Sequence, residues 1–147
     1  MGRRRPPRIR ARTLPGVPMR IAIDFTLAPL KRLINQLDET DTIDVIDTDG
    51  KEVPVFVLDK DIVAVSIGVR ELAEFYETAM GAAAPTQALR RLVATIDKNE
   101  PFDVELLDEL KAALPALRDA GRRIPPELAY SIVALRKAEM EQDMASA

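Results

Sequence analysis

Three observations predict an α+β fold: a small antiparallel β-hairpin sheet with packed helices, followed by an all-helical C-terminal region. Two β-rich runs flank the dipeptide Asp49-Gly50, which favours a type I′ hairpin turn. Leu30, Leu33, Ile34 and Leu37 recur at helical spacing just before them. From Thr86 onward every apolar pattern has the helical period.

Met19–Phe25 alternates Ile21, Ile23 and Phe25 against Arg20, Ala22 and Asp24, the period of a half-buried strand. The helix that follows carries Pro29 in its first turn, turns Lys31, Arg32, Asn35 and Gln36 to water, and ends near Asp38–Thr40. The hairpin pairs Thr42–Asp47 with Val53–Leu58, setting Ile46 opposite Val53 and Asp44 opposite Val55. Ile43, Val45, Phe56 and Leu58 form its better core face. Pro54 cannot donate to a ladder, so its strand is partly an edge or its position points outward. The run Ile62–Ile67 reads equally as a third strand or as the start of a helix over Val69–Met80, with Val69, Leu72, Ala73, Tyr76 and Met80 along one stripe.

Gly81–Pro85 is a joint, and Thr86 is a good N-cap for the helix beyond it. A further helix spans Asp103–Leu114 with Val104, Leu107 and Leu110 as its stripe. Pro115 bends or restarts that helix, and Gly121 stops it. Pro125-Pro126 opens a last helix through Glu141 with Leu128, Ile132 and Leu135 inward. The organisation is thus a disordered basic arm (1–18), an α/β module (19–80), a linker (81–85) and a helical region (86–147).

The 147-residue chain has no Cys, no His and no Trp, and a formal net charge of −3. That excludes thiol nucleophiles, imidazole bases, disulfides and ordinary zinc sites. The charge is unevenly placed: the first 20 residues hold seven Arg and no acid, while residues 38–61 hold nine acids against Lys51 and Lys60. The Arg-rich, Pro-rich arm reads as a phosphate-binding tail, as a solvated tail without a role, or as codons upstream of a start at Met19. It lacks the apolar run of a secretory signal, which leads to the expectation of a cytoplasmic protein.

The acids Asp41, Asp44, Asp47, Asp49 and Glu52 do not form an EF-hand. Aligned on Gly50, the first and twelfth ligand positions fall on Val45 and Phe56. Ser66 and Ser131 lack a base at any known motif spacing, Gly68 and Gly81 are isolated, and Tyr76 and Tyr130 sit at core-like positions. The sequence therefore predicts no enzyme, no cofactor and no metal, and assigns no catalytic residue. Its most pointed feature is Glu100–Leu110, with five acids, no base and apolar residues interleaved. Phe102, Val104, Glu105, Leu107, Asp108 and Glu109 would lay an apolar, acidic face on a basic protein partner, unless the segment is an amphipathic helix packing on its own domain.

The order of strand, short amphipathic helix, valine-rich hairpin and helix resembles the Phd/YefM-like antitoxins of bacterial toxin–antitoxin pairs. Val45, Ile46, Gly50, Lys51, Val53, Val55 and Val57 carry the likeness, and Ala28–Glu39 is similar to the family's first helix. The match covers roughly residues 19–80. It implies a dimerising module that binds operator DNA through Arg20, Lys31, Arg32 and Lys51, and a C-terminal segment that neutralises a basic toxin. Where the family carries a basic residue before the turn glycine, this chain has Thr48-Asp49. The alternative, of a different class, is a non-enzymatic structural or adaptor protein, of phage or mobile-element type, acting through helical oligomerisation.

Overall fold

The computed structural model describes residues 19–58 and 61–146, with side chains from 26 to 143. The arm, residues 1–18, lies outside the described residues. The observed fold is α+β: α1 (Met19–Thr40), β1 (Val45–Thr48), β2 (Lys51–Val57), β3 (Ile62–Ala64), α2 (Val65–Met80), a 3-10 turn (Gly81–Ala83), α3 (Gln87–Asp97), α4 (Val104–Arg123) and α5 (Pro126–Ser146).

The strand expected over Met19–Phe25 is instead the first part of α1. A short apolar run carries little commitment of its own, and a helix already built on Leu27, Leu30, Leu33, Ile34 and Leu37 extends backward more cheaply than a separate strand nucleates. Pro29 consequently lies inside the helix and not in its first turn. The C-terminus fell where expected, at Thr40, with Asp41 taking the left-handed conformation (φ 57°) and donating its N–H to the Leu37 carbonyl at 3.0 Å.

The hairpin forms in the expected register, Ile46 opposite Val53 and Thr48 opposite Lys51. Asp49 and Gly50 both have positive φ, 53° and 79°, as a type I′ turn requires. The third strand and the helix start are both real: Ile62–Ala64 pairs antiparallel with Val55–Val57, and the chain turns helical at Val65. This makes β2 the central strand. Pro54 is tolerated there for a specific reason. Val55 donates to Asp44 O at 2.9 Å on the β1 side, while Leu58 donates to Asp61 O at 2.8 Å on the β3 side. Alternation aims position 54 toward β3, which has already ended at Ala64. The expected core face is only partly right. Ile43, Phe56 and Leu58 are half-buried, Val45 is exposed, and the buried strand residue is Val55 on the opposite face, while Phe56 lies against Gly68 of α2.

One core joins both halves of the chain across the 81–85 joint. Leu33 and Ile34 of α1, Val69 and Tyr76 of α2, Leu89 and Leu92 of α3, and Leu106, Leu110 and Leu117 of α4 belong to a single buried cluster. The Tyr76 hydroxyl donates to the Leu117 carbonyl at 2.7 Å, and burial raises its pKa because the phenolate would lose its water. Thr86 precedes α3 but does not cap it; its hydroxyl donates to Glu77 Oε2 at 2.7 Å. Arg90 adds two bonds to the same carboxylate, at 3.0 and 2.5 Å. These bonds, Arg90 first and Thr86 second, lower the Glu77 pKa to about 2.

The stripe of α4 differs from the expected one. Val104 is 74% exposed and Leu107 half-buried, whereas Leu106, Leu110, Leu114 and Leu117 are buried. Asp103 caps the helix by accepting from Leu106 N at 2.7 Å, which rotates Leu106 inward. Pro115 neither restarts α4 nor ends it, being exposed within a continuous helix, and Gly121 lies in its last turn. In α5 only Ile132 of the three expected inward residues is buried; Leu128 and Leu135 are exposed.

Candidate functional site: an apolar groove walled by the last helix

Between α5 and the rest of the molecule lies an open groove of about 770 Å³. Its floor is the outer face of α2, where Gly68, Val69, Leu72 and Phe75 recur at helical spacing. One wall is formed by Pro29 and Leu30 of α1 with Phe56, Leu58 and Val63 of the sheet region. The other wall is α5, presenting Ala129, Tyr130, Val133 and Met140. Gly68 sets the floor's depth: a Cβ there would lie 3.2 Å from Phe56 Cε2, so the missing side chain lets the ring lie against α2. Charge is confined to Glu71, Arg136, Lys137 and Glu141.

Arg136 fixes α5 to α2 through Glu74 at 2.7 Å and Glu71 at 3.9 Å. Below that clasp α5 buries Ile132 and packs Ala129 against the core, and the rest of its apolar residues face outward. Tyr130, expected as a packing residue, is 41% exposed on the groove wall. The groove is lined by carbon, with its ions already paired or at its rim. Such a surface can hold an apolar helix or chain by excluding water.

The residues expected to face DNA lie on two elements, α1 and the turn end of β2. Lys31 and Arg32 are exposed on α1, and the Arg20 side chain lies outside the described ones. Arg32 borders a small cleft of about 120 Å³ with Gln36, Asp44 and Phe56. Lys51 stands at the turn end of β2, five residues and therefore about 16 Å along the strand from Phe56. Asp47, Asp49 and Glu52 surround it in sequence.

The acidic segment on α4 is largely answered from within. Arg91 of α3 binds Glu109, lies 3.3 Å from Glu105 and reaches Asp103 at 3.8 Å. Phe102 packs against the core and Leu107 is half-buried. Val104, Glu105 and Asp108 stand out from the surface, Val104 and Asp108 one turn apart. Of the six residues assigned to a basic partner, Phe102, Leu107 and Glu109 are half-buried in the chain's own packing, and Val104, Glu105 and Asp108 are exposed. Among the described residues no three acidic side chains converge as a metal site needs, and no helix is long and apolar enough to cross a membrane.

Sequence reasoning did not find the groove. A signal was present in α5, where Tyr130, Val133 and Met140 share a stripe beside the Leu128–Ile132–Leu135 one. Two apolar stripes on one short helix cannot both face the same body. Compared with known proteins, the chain matches no family model, no curated protein and no solved structure.

Proposed function

We propose that this protein is a non-enzymatic adaptor that assembles through its helical C-terminal region, using the groove under α5 as the contact surface. The observation that carries the reading is that α5 walls an open, carbon-lined groove while exposing apolar residues on more than one side. Exposed apolar patches of this kind mark interaction sites. The absence of Cys and His from the sequence supports binding over catalysis. So does the character of Glu77, whose low pKa comes from a clasp by Arg90 and Thr86 that keeps it ionised.

The test is sedimentation of the full chain with and without duplex DNA at several salt concentrations. Association independent of DNA and lost in Leu72→Arg, which puts a charge on the groove floor, supports the adaptor. A monomer under all conditions overturns it.

The antitoxin-like reading is favoured by one feature, the exposed pair Val104 and Asp108, which a basic partner could cover. For that reading, binding to duplex DNA weakens with salt, and Lys31→Glu with Arg32→Glu flattens the dependence by about one phosphate contact each. Salt-insensitive or undetectable DNA binding removes the regulator half of it.

A further inference from the structure

On the groove wall, Tyr130, Val133, Lys137 and Met140 follow one another at intervals of three, four and three residues. That is the spacing of a coiled-coil seam, in which each side chain fills a hole on a facing helix. Here the seam is unfilled: Tyr130 is 41%, Val133 57% and Met140 54% exposed. The helix is already held to its own body by Ile132 and by the Arg136 clasp, so the seam is surplus to folding. From this geometry we infer that α5 pairs antiparallel with α5 of a second copy across a two-fold axis, each helix lying in the other's groove. The inference rests on the adaptor reading and names its partner.

Charge selects both the partner and the direction. Lys137 makes no ion pair among the described residues, and it sits within the seam. A single lysine at such a position tolerates some partners and rejects others. In a parallel pair it would face its own copy, ammonium against ammonium. In an antiparallel pair centred on position 135 it meets Val133 of the second copy, where its methylene stem covers the valine and its head reaches water. The same register sets Tyr130 against Met140, a favourable thioether–aromatic contact, at both ends of the seam. Small residues meet long ones and large rings meet flexible chains. The surface is complementary to itself, as a two-fold interface must be.

The chain has no cysteine, so introduced thiols report the register without background. Full-length Tyr130→Cys and Met140→Cys proteins, mixed and oxidised with glutathione disulfide, should yield a covalent dimer containing one of each. Tyr130→Cys alone should yield none, because its two copies would lie about 15 Å apart along the helices. Val133→Glu, a change at an exposed position, should raise the dissociation constant of the dimer by at least about tenfold, equivalent to about 1.4 kcal/mol, with far-UV circular dichroism unchanged. Covalent dimer from Tyr130→Cys alone would show a parallel pair and overturn the proposal. A wild-type dimer without the mixed cross-link would place the interface elsewhere, ending this pairing while leaving the adaptor reading intact. A monomeric wild type would end both.

Discussion

Helices α4 and α5 are nearly equal in length, 20 and 21 residues, and adjacent in the chain, yet they use their apolar residues in opposite ways. In α4 the leucines at 106, 110, 114 and 117 fall on one face, and all are buried against α1 and α3. Its acids on the neighbouring face are bound by Arg91. In α5 the apolar residues are spread around the axis, and only Ile132 is buried. The difference lies in how the apolar residues are placed: α4 buries a whole leucine face and leaves Val104 exposed, while α5 leaves most of its apolar residues uncovered. The part of the sequence that is hydrophobic without being used is where a partner is expected.

The sharpest way to break this comparison is to delete a side chain from each helix. Leu117→Ala in α4 removes a wholly buried side chain and should cost about 2–5 kcal/mol, read from the urea midpoint. Tyr76→Phe removes the hydroxyl that ties α2 to the Leu117 carbonyl and should cost about 0.5–1.5 kcal/mol in the same measurement. Arg91→Ala leaves Glu105 and Glu109, four residues apart, facing each other without their cation. It should cost about 0.2–1 kcal/mol at low salt, and the loss should shrink in 1 M NaCl, where the screening length is about 3 Å.

Glu77→Gln tests the clasp through pH. The carboxyl titrates lower in the folded chain, at about 2 against an ordinary 4.5, so its contribution is fully present above 4.5 and fades as pH falls toward 2. The wild-type midpoint should therefore drop across that window more steeply than that of the glutamine variant, whose difference from wild type should be greatest at neutral pH. Leu135→Ala, 61% exposed on α5 and outside the seam, should change stability by no more than about 0.5 kcal/mol. A large loss there would mean that α5 has no spare face, and the comparison would collapse.

Local chemistry was legible in the sequence and long-range choice was not. The hairpin could be read because Asp49-Gly50 fixes both its turn and its register within a few residues. The α1 stripe could be read because Leu30, Leu33, Ile34 and Leu37 leave one possible inner face. In α4, by contrast, leucines and valine at 104, 106, 107 and 110 offer two stripes of similar strength. The Asp103 cap and the length of helix beyond Pro115 decide between them. The segment Met19–Phe25 satisfied a strand period by its alternation, but it is joined without a break to a strong helix, and continuity won. The groove was illegible for a different reason. It is made by four stretches of chain that together span more than a hundred residues, from Pro29 to Met140, and no short window of sequence contains it.

Pro54 has one more effect on the hairpin, beyond being tolerated in a central strand. Slide β2 by a single residue against its neighbours and the imino nitrogen falls where β1 requires an N–H, while Val55 swaps sides with Phe56. The ring thus acts as a frame check on strand assembly: misaligned ribbons forfeit a backbone bond that the aligned one never needed.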